Sequence, residues 1–211
     1  MQRLILVISC VLFACSTASG ELWRSYGVKG GACSATQIWD RGSQIDQGTG
    51  YRWGVDVGIF AELADIPPFS LSTEIHYVQK GMKYDIPVTT EQFPNGTGEF
   101  ITVDPSLNYL SVPLLAKLRV DLSRSEVYLL VGPRFDFLLS SDGDGQFDSQ
   151  IKRFNSFDFG GTIGVGFQTR TILGLATGVE FRFSPSFQSG YEDDFVTITN
   201  RSFEFLLTIG R

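Results

Sequence analysis

This chain of 211 residues is poor in long apolar runs, paired cysteines, histidine and clustered cations. The one sustained apolar stretch runs from Leu4 to Ala14, short of the ~20 residues that a membrane-spanning helix needs. Any crossing by the rest of the chain must therefore use a closed sheet, whose strands satisfy one another's backbone groups. Of three cysteines, Cys10 and Cys15 fall in or beside that stretch and only Cys33 follows. This leaves no disulfide framework and no cysteine pair for a metal. The 17 basic residues are outnumbered by 23 acidic ones, for a net charge of -6, and they form no long cluster. A nucleic-acid partner is not expected, because neutralising a phosphate backbone requires such a cluster. With 43% hydrophobic and 19% charged residues, the chain is too apolar to be disordered and too charged for a helical membrane bundle.

Glycine, by contrast, is abundant at 23 residues, above the ~7% of an average chain. It sits inside apolar stretches as well as in turns, which favours close-packed strands. Residues 1–20 combine Arg3, the apolar run and a small-residue end at Ala18-Ser19-Gly20, the pattern of a secretory signal peptide cleaved after Ala18 or Gly20. Leu12-Phe13-Ala14-Cys15 offers a second reading, a lipobox with lipidation at Cys15. Residues 21–211 then form one domain.

Within that domain eight segments alternate in polarity with period two, as strands with two different faces do. They run from Trp23 to Cys33, Tyr51 to Ala61, Phe69 to Tyr84, Tyr109 to Val120, Val127 to Leu139, Phe157 to Thr169, Ile172 to Ser184 and Arg201 to Ile209. Long Gly-, Ser- and Asp-rich connections follow the odd-numbered segments. Short ones follow the even: Ile66-Pro67-Pro68, Asp121 to Ser125, and Arg170-Thr171. That alternation predicts an all-β, eight-stranded antiparallel up-and-down barrel with its long loops at one rim and both termini at the other.

Two barrels present such faces. A soluble lipocalin-like barrel turns its apolar face inward around a small apolar ligand, and a transmembrane barrel turns it outward. Interior volume favours the second, since a narrow eight-stranded lumen takes Gly, Ser and Thr more easily than rows of Phe and Leu. Charge balance agrees. The polar face carries Lys29, Arg52, Lys117, Arg119, Arg134 and Arg182 against Asp56, Glu74, Asp136, Asp158, Glu180 and Glu204, a set able to pair inside a lumen where unpaired charge is costly. Tyr51, Trp53, Phe69, Tyr109 and Phe183 stand near strand ends, where a membrane barrel places its aromatic girdles. Pro113 and Pro133 lack the amide a ladder requires, so a bulge or break is expected near each.

Three stretches carry a family resemblance: Tyr77-Val78-Gln79-Lys80-Gly81, then Tyr109-Leu110-Ser111-Val112-Pro113-Leu114-Leu115-Ala116-Lys117, then Gly132-Pro133. With Tyr26-Gly27-Val28-Lys29-Gly30-Gly31 as an opening strand, their order resembles the PorT-like outer-membrane β-barrels of Gram-negative bacteria. The resemblance implies an outer-membrane location, lipid as surroundings, and envelope or secretion proteins as partners. It implies no activity and no oligomeric state.

Three groups invite a chemical reading. His76 is the obvious general base for a lipid-modifying barrel enzyme, but no nucleophile motif accompanies it and a lumen hydrogen bond is the expected role. Asp142, Asp144 and Asp148 could ligate a hard cation, although the EF-hand pattern and its bidentate Glu are missing. The run Gly160-Gly161-Thr162-Ile163-Gly164-Val165-Gly166 is not a phosphate loop, because no lysine follows. The chain is expected to be a non-enzymatic barrel without a cofactor, with surface loops available for structural, binding or secretion-assisting roles.

Overall fold

The computed structural model describes residues 23–40, 49–88, 97–142, 155–170, 174–188, 191–193 and 196–211; the expected signal segment lies outside them. In chain order the strands are β1 (Trp23–Asp40), β2 (Arg52–Ile66), β3 (Phe69–Gly81), β4 (Tyr84–Pro87), β5 (Phe100–Val103), β6 (Ser106–Leu122), β7 (Ser125–Asp142), β8 (Phe157–Arg170), β9 (Ala176–Pro185), β10 (Tyr191–Asp193) and β11 (Val196–Gly210). The long strands pair antiparallel in the order β1-β2-β3-β6-β7-β8-β9-β11, and β1 pairs back to β11 from Gly27↔Gly210 to Asp40↔Thr197. Backbone bonds of 3.0 and 2.9 Å between Tyr26 and Arg211 extend the seam. The eight-stranded barrel is thus closed and leaves no long edge strand.

Side-chain parity decides which face looks inward. On β2, Asp56 is 2% exposed while its neighbours Val55 and Val57 are 46% and 49% exposed. On β3 every even position from Ser70 to Lys80 is buried. The polar face therefore lines the lumen and the apolar face looks out, which excludes the lipocalin-like alternative. The longest strands have 18 residues, beyond the ~9–11 that a tilted transmembrane strand needs.

Six of the eight barrel strands run further than their alternation suggested and two are shorter, and the connections change accordingly. β6 and β7 are joined by Ser123 and Arg124 alone, with Ser123 at φ 57°, the left-handed conformation that tight hairpin turns use. The third segment stops at Gly81, and Tyr84 belongs to a separate hairpin in which β4 pairs with β5. β9 begins at Ala176 instead of Ile172, so residues 171–175 replace the expected two-residue turn; Ile172 and Leu173 lie outside the described residues.

At Pro113 the ladders to β3 and β7 are interrupted without a change of register: Thr73↔Leu114 is followed by His76↔Ser111, and Pro113↔Arg134 by Ala116↔Val131. Pro133 falls in the second gap but keeps its place opposite Gly161 on β8. The register shift in β6 comes instead between Asn108 and Tyr109. Tyr109, expected in an outer girdle, is an inward residue in the same odd-numbered phase as Lys117 and Arg119, 1% exposed, with the Lys80 ammonium 5.2 Å from its ring centroid. Trp53, Tyr51 and Phe69 are exposed on the outer face as expected, and Phe183 stacks there at 5.0 Å against Phe203.

Candidate functional site

The lumen is filled with charge at three levels. At the short-turn end, Lys117 donates to Glu62 (2.6 Å) and Glu126 (2.8 Å), and Arg24 donates to Glu126 (2.9 Å). The Lys117 ammonium lies 3.8 Å from the centroid of Tyr128, a cation over an aromatic face.

At mid-height Lys29 of β1 donates to Glu74 of β3 (2.8 Å) and to Glu180 of β9 (2.7 Å). Arg182 completes the square. Its Nη1 and Nη2 donate to the two oxygens of Glu74 at 2.8 and 3.0 Å, and its Nε and Nη2 donate to Glu180 at 2.9 and 2.5 Å. Such paired, charge-assisted contacts suit the guanidinium fork. Tyr128 adds a hydroxyl bond to Glu180 at 2.7 Å and Ser72 one to Glu74 at 3.0 Å.

His76 sits beside this square, 2% exposed, with Nδ1 2.5 Å from Asp56 and Nε2 2.9 Å from Glu74. Gly58 makes room for it: a Cβ there would lie 2.5 Å from the imidazole Cγ. Gly166 does the same for Tyr128, where a Cβ would lie 2.3 Å from the ring. Gly58 and Gly166 are thus the spaces into which the rings of their register partners fold.

At the long-loop end Lys80 donates to Asp136 (2.5 Å), Arg134 lies 2.9 Å from Asp136 and 3.8 Å from Glu204, and Asn200 donates to Asp158 (3.0 Å). Cys33 is buried among Ala35 and Val78.

Of the expected polar-face residues, Lys29, Asp56, Glu74, Lys117, Arg119, Arg134, Asp136, Asp158, Glu180, Arg182 and Glu204 are all buried. Arg52 stands at the mouth, where its Nε lies 2.8 Å from Asp104, itself 41% exposed. Glu62 and Lys80 were missed as members of the set. Glu62 continues the even-numbered phase of Asp56 beyond the expected strand end, and Lys80 continues that of Glu74. Asp142 is exposed at the end of β7, while Asp144 and Asp148 lie outside the described residues. Among the described residues no group of three His, Cys, Asp or Glu side chains is placed to hold a metal ion.

A general base must reach a substrate proton directly or through one water. Both ring nitrogens of His76 face carboxylates, and the ring is buried between strands. What this arrangement does chemically is join facing strands across the lumen through oppositely charged groups.

The closed sheet, its apolar exterior and its charged interior agree with what the whole chain resembles. Residues 22–191 match the outer membrane protein beta-barrel domain. The chain belongs to that family. Membership implies an outer-membrane location, with Val55, Val57, Ile59 and their neighbours against lipid. The barrel is similar to outer membrane protein OprG from Pseudomonas aeruginosa, at 10% identity over 88% of this chain and 93% of that one, with a TM-score of 0.49. It is similar to Neisserial surface protein A at 16% identity, 88% and 95% coverage and a TM-score of 0.48. It is also similar to the outer membrane protease OmpT from Escherichia coli at 10% identity, 92% and 98% coverage and a TM-score of 0.44. Comparison with curated proteins finds no match.

Proposed function

We propose that this chain is a sealed, non-enzymatic outer-membrane barrel that acts through its long-loop rim as a structural or binding element of the envelope. The observation that carries the reading is the Lys29-Glu74-Arg182-Glu180 square, which ties β1, β3 and β9 together across the lumen at 2.5–3.0 Å. A water-filled passage would have to break several charge-assisted bonds that have no solvent to replace them. Burial of His76 supports the absence of a hydrolytic role.

The rim is built to present loops. Gly50 and Lys83 exchange backbone bonds of 2.7 and 2.9 Å, Trp39 stacks on Tyr84 at 6.1 Å, and Arg52 meets Asp104, so the first two long connections are fastened to each other. The finer assignment, to the PorT-like barrels with envelope or secretion proteins as partners, rests on the ordered motifs. Of their residues, Lys80, Tyr109 and Lys117 belong to the lumen filling. Recording from planar bilayers tests the sealed barrel. The proposal expects no steady conductance above baseline, and stable ion-conducting openings would overturn it. A secretion-assisting role requires that deletion of the gene change the set of proteins released by the cell.

A further inference from the structure

The outer face of β1 differs from the rest of the belt. Its outward residues through the middle of the barrel are Gly30, Ala32 and Ser34, all half-buried. They are flanked in register by Val57, Val55 and Trp53 on β2 and by Leu207, Phe205 and Phe203 on β11. Register partners stand side by side on one face of a sheet, so two bulky walls border a floor of small side chains. Trp53 and Phe205 are 68% and 52% exposed, which leaves the walls standing clear. A Cβ at Gly30 would meet nothing closer than 3.7 Å, so the floor has free space above it. The corresponding outward row of β8, Ile163, Val165 and Phe167, is bulky throughout and exposed; it forms no such trough.

The trough has an end and a charge. Toward the long-loop rim, Tyr51 reaches over β1 to Phe203, with ring centroids 6.1 Å apart. Phe203 stacks on Phe183, and the Arg201 guanidinium lies over Phe183 at 5.9 Å. Arg201 Nε is buried and without a hydrogen-bond partner. The four residue steps of strand from Gly30 to Ser34 span roughly 13 Å, and the walls stand two strand spacings apart, roughly 9.6 Å between backbones. That is room for one extended hydrocarbon chain between the wall side chains.

We propose that this trough holds one acyl chain of an anionic membrane lipid, with the lipid's phosphate at Arg201. Two observations select this occupant. The trough is continuous with the apolar belt that family membership sets against lipid, and Arg201, in register with Thr36 toward the long-loop rim, stands at the level where aromatic girdles meet headgroups. An arginine supplies the fork that a phosphate accepts. The proposal does not depend on the lumen being sealed, so conductance and lipid retention fail separately.

The test is native mass spectrometry of the full chain released from nanodiscs of phosphatidylcholine doped with phosphatidylglycerol. The wild type should retain one phosphatidylglycerol in preference to phosphatidylcholine. Ala32→Phe, which fills the trough, should abolish retention, whereas Val165→Phe on β8 should not. Arg201→Gln should lower the headgroup preference by about tenfold. Equal retention by Ala32→Phe and wild type would overturn the proposal, as would a wild type that retains no lipid. A dimer lost on Ala32→Phe would assign the trough to a second copy and also overturn it. Mobility before and after boiling verifies folding; if Ala32→Phe does not fold, Ser34→Leu carries the same expectation.

Discussion

Arg182→Met should destabilise the barrel more than any other single substitution of a lumen cation. Arg182 makes four bonds to two carboxylates; its side chain and that of Glu74 are 2% and 0% exposed, so water screens neither. Removing it leaves Glu74 and Glu180 with Lys29 as their remaining cation partner. Removing one partner from a buried ion pair costs about 3–5 kcal/mol, chiefly because the other charge stays buried and unmatched. With a urea slope of about 2 kcal/mol per molar, the unfolding midpoint should fall by about 2 M. Arg182→Lys keeps the charge but loses the fork, and should recover less than half of that loss. The assay is reversible urea unfolding in detergent micelles, read as the fraction with unboiled gel mobility. A shift below about 0.5 kcal/mol for Arg182→Met would refute the reasoning, since it would mean that water already reaches the square.

Lys117→Met should cost less, about 1–3 kcal/mol, because its partner Glu126 is 12% exposed and solvent at the short-turn rim can take over part of the interaction; the same urea assay ranks the two variants. Gly166→Ala places a Cβ 2.3 Å from the Tyr128 ring, so the ring must move and its 2.7 Å bond to Glu180 break. The expected loss is about 1–3 kcal/mol, and Tyr128→Ala in the same chain should relieve most of the overlap, giving a non-additive double-mutant cycle. His76→Ala should lower stability and leave lipase and protease rates at the no-protein background expected for the wild type as well; a hydrolysis rate that depends on His76 with an intact barrel would establish an enzyme. Calorimetry with millimolar calcium should show no binding heat at Asp142, Asp144 and Asp148, and a saturable heat lost on Asp142→Asn would contradict this.

The fold was legible because a barrel repeats one simple rule, side-chain alternation, along every strand. Asp56 and Val57 differ in exposure for the same reason that they differ in polarity, so the lumen residues could be read from phase alone. Tyr109 shares the odd-numbered phase of Ser111, Lys117 and Arg119, which all face the lumen, and it was misplaced because a tyrosine at a strand end suits both a girdle and a lumen with a cation to cover. Glu62 was missed because it keeps the phase of Asp56 one residue past the expected strand end, whereas Lys80 keeps the phase of Glu74 within the expected strand and was left out of the set all the same. That opposite charges could pair in the lumen was legible from the sequence, but which charge meets which was not. Glu74 and Arg182 are separated by 108 positions and meet only because β3 and β9 face each other once the sheet closes. The trough on β1 was invisible for the same reason, as its walls belong to β2 and β11.

The central claim is that the apolar face looks out into a membrane and the charges look in. Fractionation of the expressed protein, followed by gel electrophoresis of the membrane fraction with and without boiling, tests it most directly. The account predicts recovery in the outer membrane and a mobility that changes on boiling, as a closed barrel unfolds. Recovery as a soluble periplasmic protein, with no such change, would contradict it.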